Sequence, residues 1–374
     1  MKKLQYAMIG CGMMGQEHLR NMALLPDIEV AAIFEPDASM RSQSAALAPG
    51  AKQYASMEAL LQHAALDALV ITSPNHCHAD QLRQIMATRA LPLLVEKPVC
   101  TRLEDVVALR QLARSAAAPV WTAMEYRYMP AITRFVALSR SGEATGTSDM
   151  LAIREHRYPF LRKVGDWNRF NRNTGGTLVE KCCHFFDLMR LVMQANPVRL
   201  FASGGQNHNH VEERYQGQQP DILDNAFVVL DFPGNRRAML DLCMFAQGSR
   251  YQEEISLVGV RGKLECKVPG PGRFWPASQR GEPPLAQLIV SPRDGALPTM
   301  VDVPVDPALL QAGDHNGSTF YQHQKFLQVV QGTGAVEVSL MDGIEAVVIG
   351  LAAEHSARSG AAVDLTAGPW ALAG

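Results

Sequence analysis

Charge of one sign, long apolar runs and paired cysteines are all missing from this chain. Its 35 Lys and Arg nearly balance 37 Asp and Glu, for a net charge of -2 and a pI near 6.6. That balance gives no support to a nucleic-acid or polyanion partner. No stretch approaches the roughly 18 uninterrupted apolar residues of a membrane-crossing helix. Cys11, Cys77, Cys100, Cys182, Cys183, Cys243 and Cys266 are odd in number and form no C-x-x-C pair. Neither a disulfide frame nor a zinc site is expected, and free thiols suit a reducing cytoplasm. Met1-Lys2-Lys3 before apolar residues imitates a leader. Gly10 and Gly12 interrupt that stretch and no small-residue cleavage site follows, so a leader is not expected. Internal repeats and low-complexity tracts are absent as well.

What is present is an ordinary globular composition, 47% hydrophobic and 19% charged, over 374 residues. That length exceeds one core, so two domains are expected. The first third alternates apolar runs (Tyr6–Ile9, Glu29–Phe34, Ala68–Ile71, Leu93–Val95, Val120–Ala123) with amphipathic helical stretches, the signature of a parallel sheet covered on both faces. After about Ala123 longer β-rich runs take over, with an apolar helix over Leu178–Met193 and two late helices, Ser318–Val330 and Met341–Arg358. Ser339 and Asp342 have capping-box spacing for the last helix. The expected architecture is α/β: a doubly wound parallel domain over 1–123, then an α/β domain over 124–374 with a large open, mostly antiparallel sheet. Asn207–Pro220 and Pro269–Pro298, rich in Gly, Pro and polar residues, read as loop excursions.

Gly10-Cys11-Gly12-Met13-Met14-Gly15 has the form G-x-G-x-x-G, and here a strand precedes it and a helix follows. Gly10 permits the tight turn, Gly12 lets a pyrophosphate approach the backbone, and Gly15 packs helix on strand. The helix start at Met13 and Met14 offers free N–H groups to phosphate. Twenty residues beyond Gly15 stands Glu35. A carboxylate there binds both ribose hydroxyls and repels a 2′-phosphate, which favours NAD over NADP. Ser73, Asn75 and His78 follow the strand Ala68–Ile71 at the same sheet edge, with Asn75 placed to cap a helix and His78 to touch the cofactor. His76-x-His78 lacks a third ligand at a persuasive spacing, so no metal is expected.

Glu96-Lys97-Pro98 puts a carboxylate and an ammonium at the carboxyl end of Leu93–Val95, where open α/β sheets bind ligands. The proline restricts Lys97 to extended geometry and admits a cis bond. A stiffly held lysine there suits proton transfer; the alternative is a surface ion pair beside a turn. Farther on, Gly175-Gly176 opens a helix carrying Glu180 and His184 at i and i+4, so a carboxylate can tune an imidazole. The alternative is a pair bracing a core helix. Between Arg154 and Arg172 six cations face two acids, with Tyr158, Trp167 and Phe170 interleaved. His156, Arg157, Trp167 and Arg172 are therefore candidates to hold an anionic sugar, and a solvated face is the alternative.

Taken together, Gly10-x-Gly12-x-x-Gly15, Ser73-Pro74-Asn75 with His78, Glu96-Lys97-Pro98, Arg127-Tyr128-x-Pro130, Gly175-Gly176 into Glu180-x-x-x-His184-x-x-Asp187, and Asp342-Gly343 resemble the Gfo/Idh/MocA oxidoreductases over nearly the whole chain. The resemblance implies a Rossmann domain and a second domain whose open sheet serves oligomer contacts, in a homodimer or homotetramer. It implies hydride transfer between nicotinamide and a ring carbon of a sugar, sugar acid or cyclitol. Lys97 and His184 would handle the proton, Glu180 would assist, and Glu96 would join the cofactor contacts. Arg127 and Tyr128 would lie near substrate. Glu180 and Cys182 stand where the common family pattern has Asp and Gly, and Glu125 where many members carry Asn.

Two other readings use the same residues. One is an NAD-requiring, redox-neutral glycosidase working by oxidation, elimination, hydration and reduction on an anionic glycoside such as a sulfoquinovoside. It needs one more base, for which His156, Tyr128, His315 or His323 is available. The other is a noncatalytic NAD sensor, and Lys97 with Glu180 and His184 argues against it.

Overall fold

A computed structural model describes residues 3–373; Met1 and Lys2 of the leader-like start, and Gly374, lie outside it. Six strands form the first sheet: β1 (Leu4–Ile9), β2 (Ile28–Phe34), β3 (Lys52–Tyr54), β4 (Ala68–Ile71), β5 (Leu93–Val95) and β6 (Val120–Thr122). Their order is β3-β2-β1-β4-β5-β6, and every pairing is parallel. β4 reads Ala-Leu-Val-Ile and β5 Leu-Leu-Val, each wholly buried because helices pack on both faces. The strand order reverses between β1 and β4, and such a switch point opens a crevice at the strands' carboxyl ends.

The second sheet has nine strands: β7 (Met150–His156), β8 (Arg199–Gly205), β9 (Asn225–Phe232), β10 (Arg236–Cys243), β11 (Glu253–Gly259), β12 (Gly262–Val268), β13 (Ala286–Pro292), β14 (Thr299–Val303) and β15 (Val363–Asp364). They run β14-β13-β12-β11-β7-β10-β9-β8-β15, all antiparallel except β7 with β10. Strict alternation, as in β12, turns one face to the helices Pro130–Ser141, Cys183–Met193 and Leu340–Ser359. The other face is open. Phe201, Val229 and Met239 stand in register across it, exposed by 39 to 45%.

The expected strands and helices of the first third appear within a few residues of their read positions. Two elements there escaped the sequence reading. The helix Ala38–Leu47 buries only Ser44, so it carries no apolar stripe; its signal was Asp37, whose side chain accepts from the Met40 amide. β3 is three residues long. In the second domain the helix Pro130–Ser141 was also missed, despite Pro130 at its start and Gly142 at its left-handed end. The excursion Pro269–Pro298 contains β13, whose Ala286 and Leu288 are buried while the rest of the strand is half-buried. The expected capping box is formed in both directions between Ser339 and Asp342. One expectation needs correction: the helix across Glu180 and His184 is broken. Thr177–Glu180 ends before a new helix starts at Cys183, with Lys181 and Cys182 in the turn. No helix among the described residues is long and apolar enough to cross a membrane.

Candidate active site

The turn from β1 into the helix Met13–Met22 forms the floor of a cleft of about 450 Å³. Gly10 sits at φ +83°, and a Cβ there would lie 2.5 Å from Ser73 Cα. A side chain on Gly15 would strike the Gly10 carbonyl. At Gly12 a Cβ would meet nothing within 4 Å, which is the space a phosphate needs above backbone amides. Glu35 closes the far end. It accepts from the Cys11 and Asp37 amides, so the carboxylate is aimed by the glycine turn itself. Arg41 lies against the Glu35 and Pro36 carbonyls. Ser73 and Asn75 line the same cleft, and Asn75 Nδ2 is buried without a partner. Open space at Gly12, a carboxylate at the end of β2 and an orphaned amide together fit a dinucleotide. Asn75 caps no helix: Cys77 is the N-cap of His78–Thr88 and Pro74 that of the short turn Asn75–Cys77, neither with a side-chain bond.

β5 ends in the Glu96-Lys97-Pro98 corner, where the Lys97–Pro98 peptide is cis. Glu96 is buried; its Oε1 lies 2.9 Å from His18 Nε2, and its Oε2 accepts from the Lys97 amide at 3.1 Å. Burial would raise the Glu96 carboxyl, but the bond and charge of His18, with Lys97 and His78, together outweigh it and hold the group low. His18 continues to His323 at 2.7 Å. The corner is thereby tied to the nucleotide helix and to the late helix Ser318–Val330. Lys97 Nζ donates to the Glu180 carbonyl at 2.9 Å, bridging the domains.

Lys97 also lines a second, larger cleft of about 850 Å³, with Glu180, His184, Lys181, Arg157 and His315. The two clefts meet at Met13, Met14, Lys97 and Lys163. His184 stacks on Tyr126, ring centroids 4.2 Å apart. Its Nδ1 is buried and unpartnered, leaving Nε2 for the cleft. Burial, then the ammonium groups of Lys97 and Lys181, push the His184 imidazole well below its usual range, so it is neutral. Glu180 does not touch it: its Oε1 pairs with Lys163 at 3.2 Å and its Oε2 has no partner. The expected Glu180–His184 pair is replaced by the Tyr126 stack because the helix breaks between them.

Several other expected contacts lie elsewhere. His78 is fully buried, with Nδ1 2.7 Å from the Pro98 carbonyl and Nε2 2.9 Å from that of Ser73, so it braces the corner and does not line the cofactor cleft. Arg127 is spent on a two-pronged pair with buried Asp187 and on the Glu337 carbonyl. Tyr128 is buried beside Trp121. His156 pairs with Asp241 at 3.1 Å, and Arg172 lies over the Phe170 ring. None of these four lines the larger cleft. Arg157 does, and Trp167 lines the nucleotide cleft instead.

The sequence reading did not single out Lys181. It is almost fully buried, bonds the Tyr126 hydroxyl and pairs with Glu155 at 2.9 Å. Burial and Arg157 bring its pKa down to about 8. Burial likewise lifts the nearby Glu253 carboxyl to about 7. Nor did it foresee that Arg162, Lys163, Val164 and Trp167 of the second domain would cover the nucleotide cleft. Trp167 meets the His76 ring edge-on at 6.1 Å, and Lys163 lies over the Trp167 ring. Neither has a local sequence signal.

A doubly wound parallel sheet with this cradle and Lys97 at its edge, closed by a second domain carrying His184, defines a dinucleotide-dependent oxidoreductase. The chain belongs to the Gfo/Idh/MocA family. Residues 4–124 match its oxidoreductase NAD-binding Rossmann fold and residues 149–365 its C-terminal α/β domain. Its relatives include an uncharacterized oxidoreductase, YrbE, of Bacillus subtilis, 24% identical over 70% of this chain and 73% of that protein. An inositol 2-dehydrogenase of Corynebacterium glutamicum is 28% identical over 50% of this chain and 53% of its own length. Among solved structures, a levoglucosan dehydrogenase in complex with NADH and levoglucosan superposes with a TM-score of 0.80 over 98% of this chain and 100% of that one, at 17% identity. This is the same fold. The protein is an oxidoreductase with an NAD-binding domain.

Proposed function

We propose that the protein is an NAD-dependent dehydrogenase acting at a ring carbon of a sugar, sugar acid or cyclitol. The observation that carries this reading is the position of Lys97, which lines both clefts where they meet. Bound NAD supplies the hydride acceptor. Neutral His184 takes the hydroxyl proton through the nitrogen that faces the cleft. Lys97 donates a hydrogen bond to the same oxygen and stabilises its developing negative charge. Glu180, joined to Lys97 through its carbonyl and to Lys163 through its carboxylate, positions both ammonium groups. Arg157, Lys163 and Lys181 on the same cleft favour an anionic substituent such as a carboxylate. The relatives' printed substrates, inositol and levoglucosan, belong to the same polyol class. The open row Phe201–Val229–Met239 supports a homo-oligomer built on the nine-stranded sheet.

A second reading, the redox-neutral glycosidase, draws on the cover over the nucleotide cleft. Arg162, Lys163, Val164 and Trp167 would retain the dinucleotide through a cycle that ends with it reoxidised. One experiment separates the two. Purified protein is incubated with free polyols (myo-inositol, D-glucose, levoglucosan, D-glucuronate) and with aryl glycosides, with and without added NAD. NADH accumulation from free polyols is the expected result. Aglycone release without net NADH would replace the dehydrogenase by the glycosidase.

A further inference from the structure

The larger cleft holds a second histidine whose surroundings oppose those of His184. His315 Nδ1 lies 2.8 Å from Glu17 Oε1 and 3.5 Å from Glu125 Oε1. Glu17 comes from the nucleotide helix and Glu125 from the turn after β6; both carboxylates are buried. The Thr319 hydroxyl lies 2.6 Å from Glu125 and 3.1 Å from Glu17, and Ser318 donates to Glu125. The Tyr126 ring, already stacked on His184, has its centroid 6.1 Å from that of His315. Lys181 faces the imidazole from the turn at Lys181–Cys182, and His18 lies beyond Glu17.

His315 uses only one ring nitrogen. His78 uses both, on two carbonyls, as does His18 on His323 and Glu96; His323 and His210 each leave one nitrogen unpartnered, but shut away from solvent. His315 Nε2 has no protein partner among the described residues, its side chain is 21% exposed, and it lines the larger cleft.

We propose that His315, clamped at Nδ1 between Glu17 and Glu125, is a charged hydrogen-bond donor that recognises a second oxygen of the substrate, distinct from the one that loses its proton. This rests on the dehydrogenase reading for what fills the cleft. Burial alone would discharge the ring, but Glu125 and Glu17 overcome it and lift its pKa to about 9. Glu17 is drawn down to about 2 by His315, while burial raises Glu125. Two histidines of one cleft are thus tuned apart, one neutral and one cationic, which is how a site divides acceptor from donor. The ligand atoms of Glu17, Glu125 and His315 also lie within 4.8 Å of one another, a spacing a metal ion can use. A cationic His315 has no free lone pair at Nδ1 to offer such an ion.

The test compares wild type, His315→Gln and Glu125→Gln on the most active polyol of the panel, with NAD saturating. In wild type, KM is expected to rise as pH passes about 9. His315→Gln should remove that limb and raise KM about 10- to 100-fold below it, the loss of a charged hydrogen bond, with less effect on kcat and none on NAD affinity. Glu125→Gln should move the limb to lower pH, and this variant carries the test if His315→Gln does not fold. An unchanged limb in either variant, or an unchanged KM in His315→Gln, overturns the proposal. Activity lost to EDTA and restored by a divalent cation overturns it too. If wild type oxidises no polyol, the dehydrogenase reading fails on its own. The inference is then read from calorimetric titration of D-glucuronate into NAD-loaded protein, where equal heats in wild type and His315→Gln would sink it.

Discussion

The Tyr126 ring lies flat against the imidazole of His184, 10° from parallel, while its hydroxyl bonds the Lys181 ammonium. The stack fixes the ring's plane, and burial, with the ammonium groups of Lys97 and Lys181, keeps it uncharged. A neutral imidazole held in one orientation can accept a proton, and Lys97 beside it can steady the oxygen left behind. Lys97→Ala should therefore lower kcat by about a thousandfold. Its Nζ bonds a carbonyl of the second domain, so NAD affinity should stay close to wild type. Steady-state kinetics beside calorimetric NAD binding checks both halves; a fully active variant removes Lys97 from the chemistry.

The glycine cradle makes a paired prediction. Gly10→Ala places a Cβ against the Ser73 backbone at a left-handed φ, and should destabilise the fold by at least about 2 kcal/mol. The Cβ of Gly12→Val meets nothing within 4 Å in the protein, so its melting temperature should hold while NAD binding weakens at least about tenfold. If Gly12→Val binds NAD normally, the pyrophosphate does not sit above that turn.

These glycines were legible because each acts through its nearest neighbours in the chain and the strand and helix that flank it. The Glu96-Lys97-Pro98 corner was legible for the same reason. Glu17, Glu125 and His315 span 298 residues and meet only through the packing of three elements. Lys181 looked like an ordinary charge on a helix until the helix broke there. Arg127 and His78 failed in the opposite direction. Their types suited a site, but Asp187 and two carbonyls satisfy them internally, and a sequence does not show where a polar group finds its partner.

Glu35 should decide the cofactor. Its carboxylate would face a 2′-phosphate with like charge, and Arg41 stands beside its backbone carbonyl. Glu35→Ser should shift the ratio of NAD to NADP affinity toward NADP by about a hundredfold. The Cys11 amide loses its buried acceptor in the same variant, so a stability loss of about 1 to 3 kcal/mol should accompany the switch. Fluorescence titration of both cofactors gives the ratio; an unchanged ratio would place the ribose away from Glu35.

Glu354 offers a test of pH and stability. Buried beneath Gly176, it accepts from the Leu178 amide at 2.9 Å, and burial lifts its pKa from 4.5 to about 7. The folded state then binds the extra proton between those values, so its stabilising contribution is lost as pH rises through about 7. Glu354→Gln keeps the acceptor and cannot ionise. Its stability relative to wild type should grow with pH across that window, by about 3 kcal/mol at most. Chemical denaturation of both proteins on either side of the window measures it, and parallel curves would mean the carboxyl is not perturbed.

The cover over the nucleotide cleft bears on how the cofactor turns over. Asn173 donates to the Trp167 carbonyl and Asn168 to that of Leu161, both at 3.0 Å, and Arg162 pairs with Asp166. Gly165 and Asp166 adopt left-handed φ values that bend the segment across the opening. With its side chain against His76, Trp167 joins the two domains over the nucleotide cleft. Trp167→Ala should speed NAD release about tenfold, the loss of roughly 1.5 kcal/mol of aromatic contact, while leaving the hydride-transfer step in single-turnover measurements near wild type. Stopped-flow displacement of bound NAD reads the first quantity. If multiple-turnover oxidation of a free polyol then accelerates, cofactor exchange limits the wild-type enzyme. If release is unchanged, Trp167 does not gate the cofactor, and retention of NAD no longer supports the redox-neutral reading.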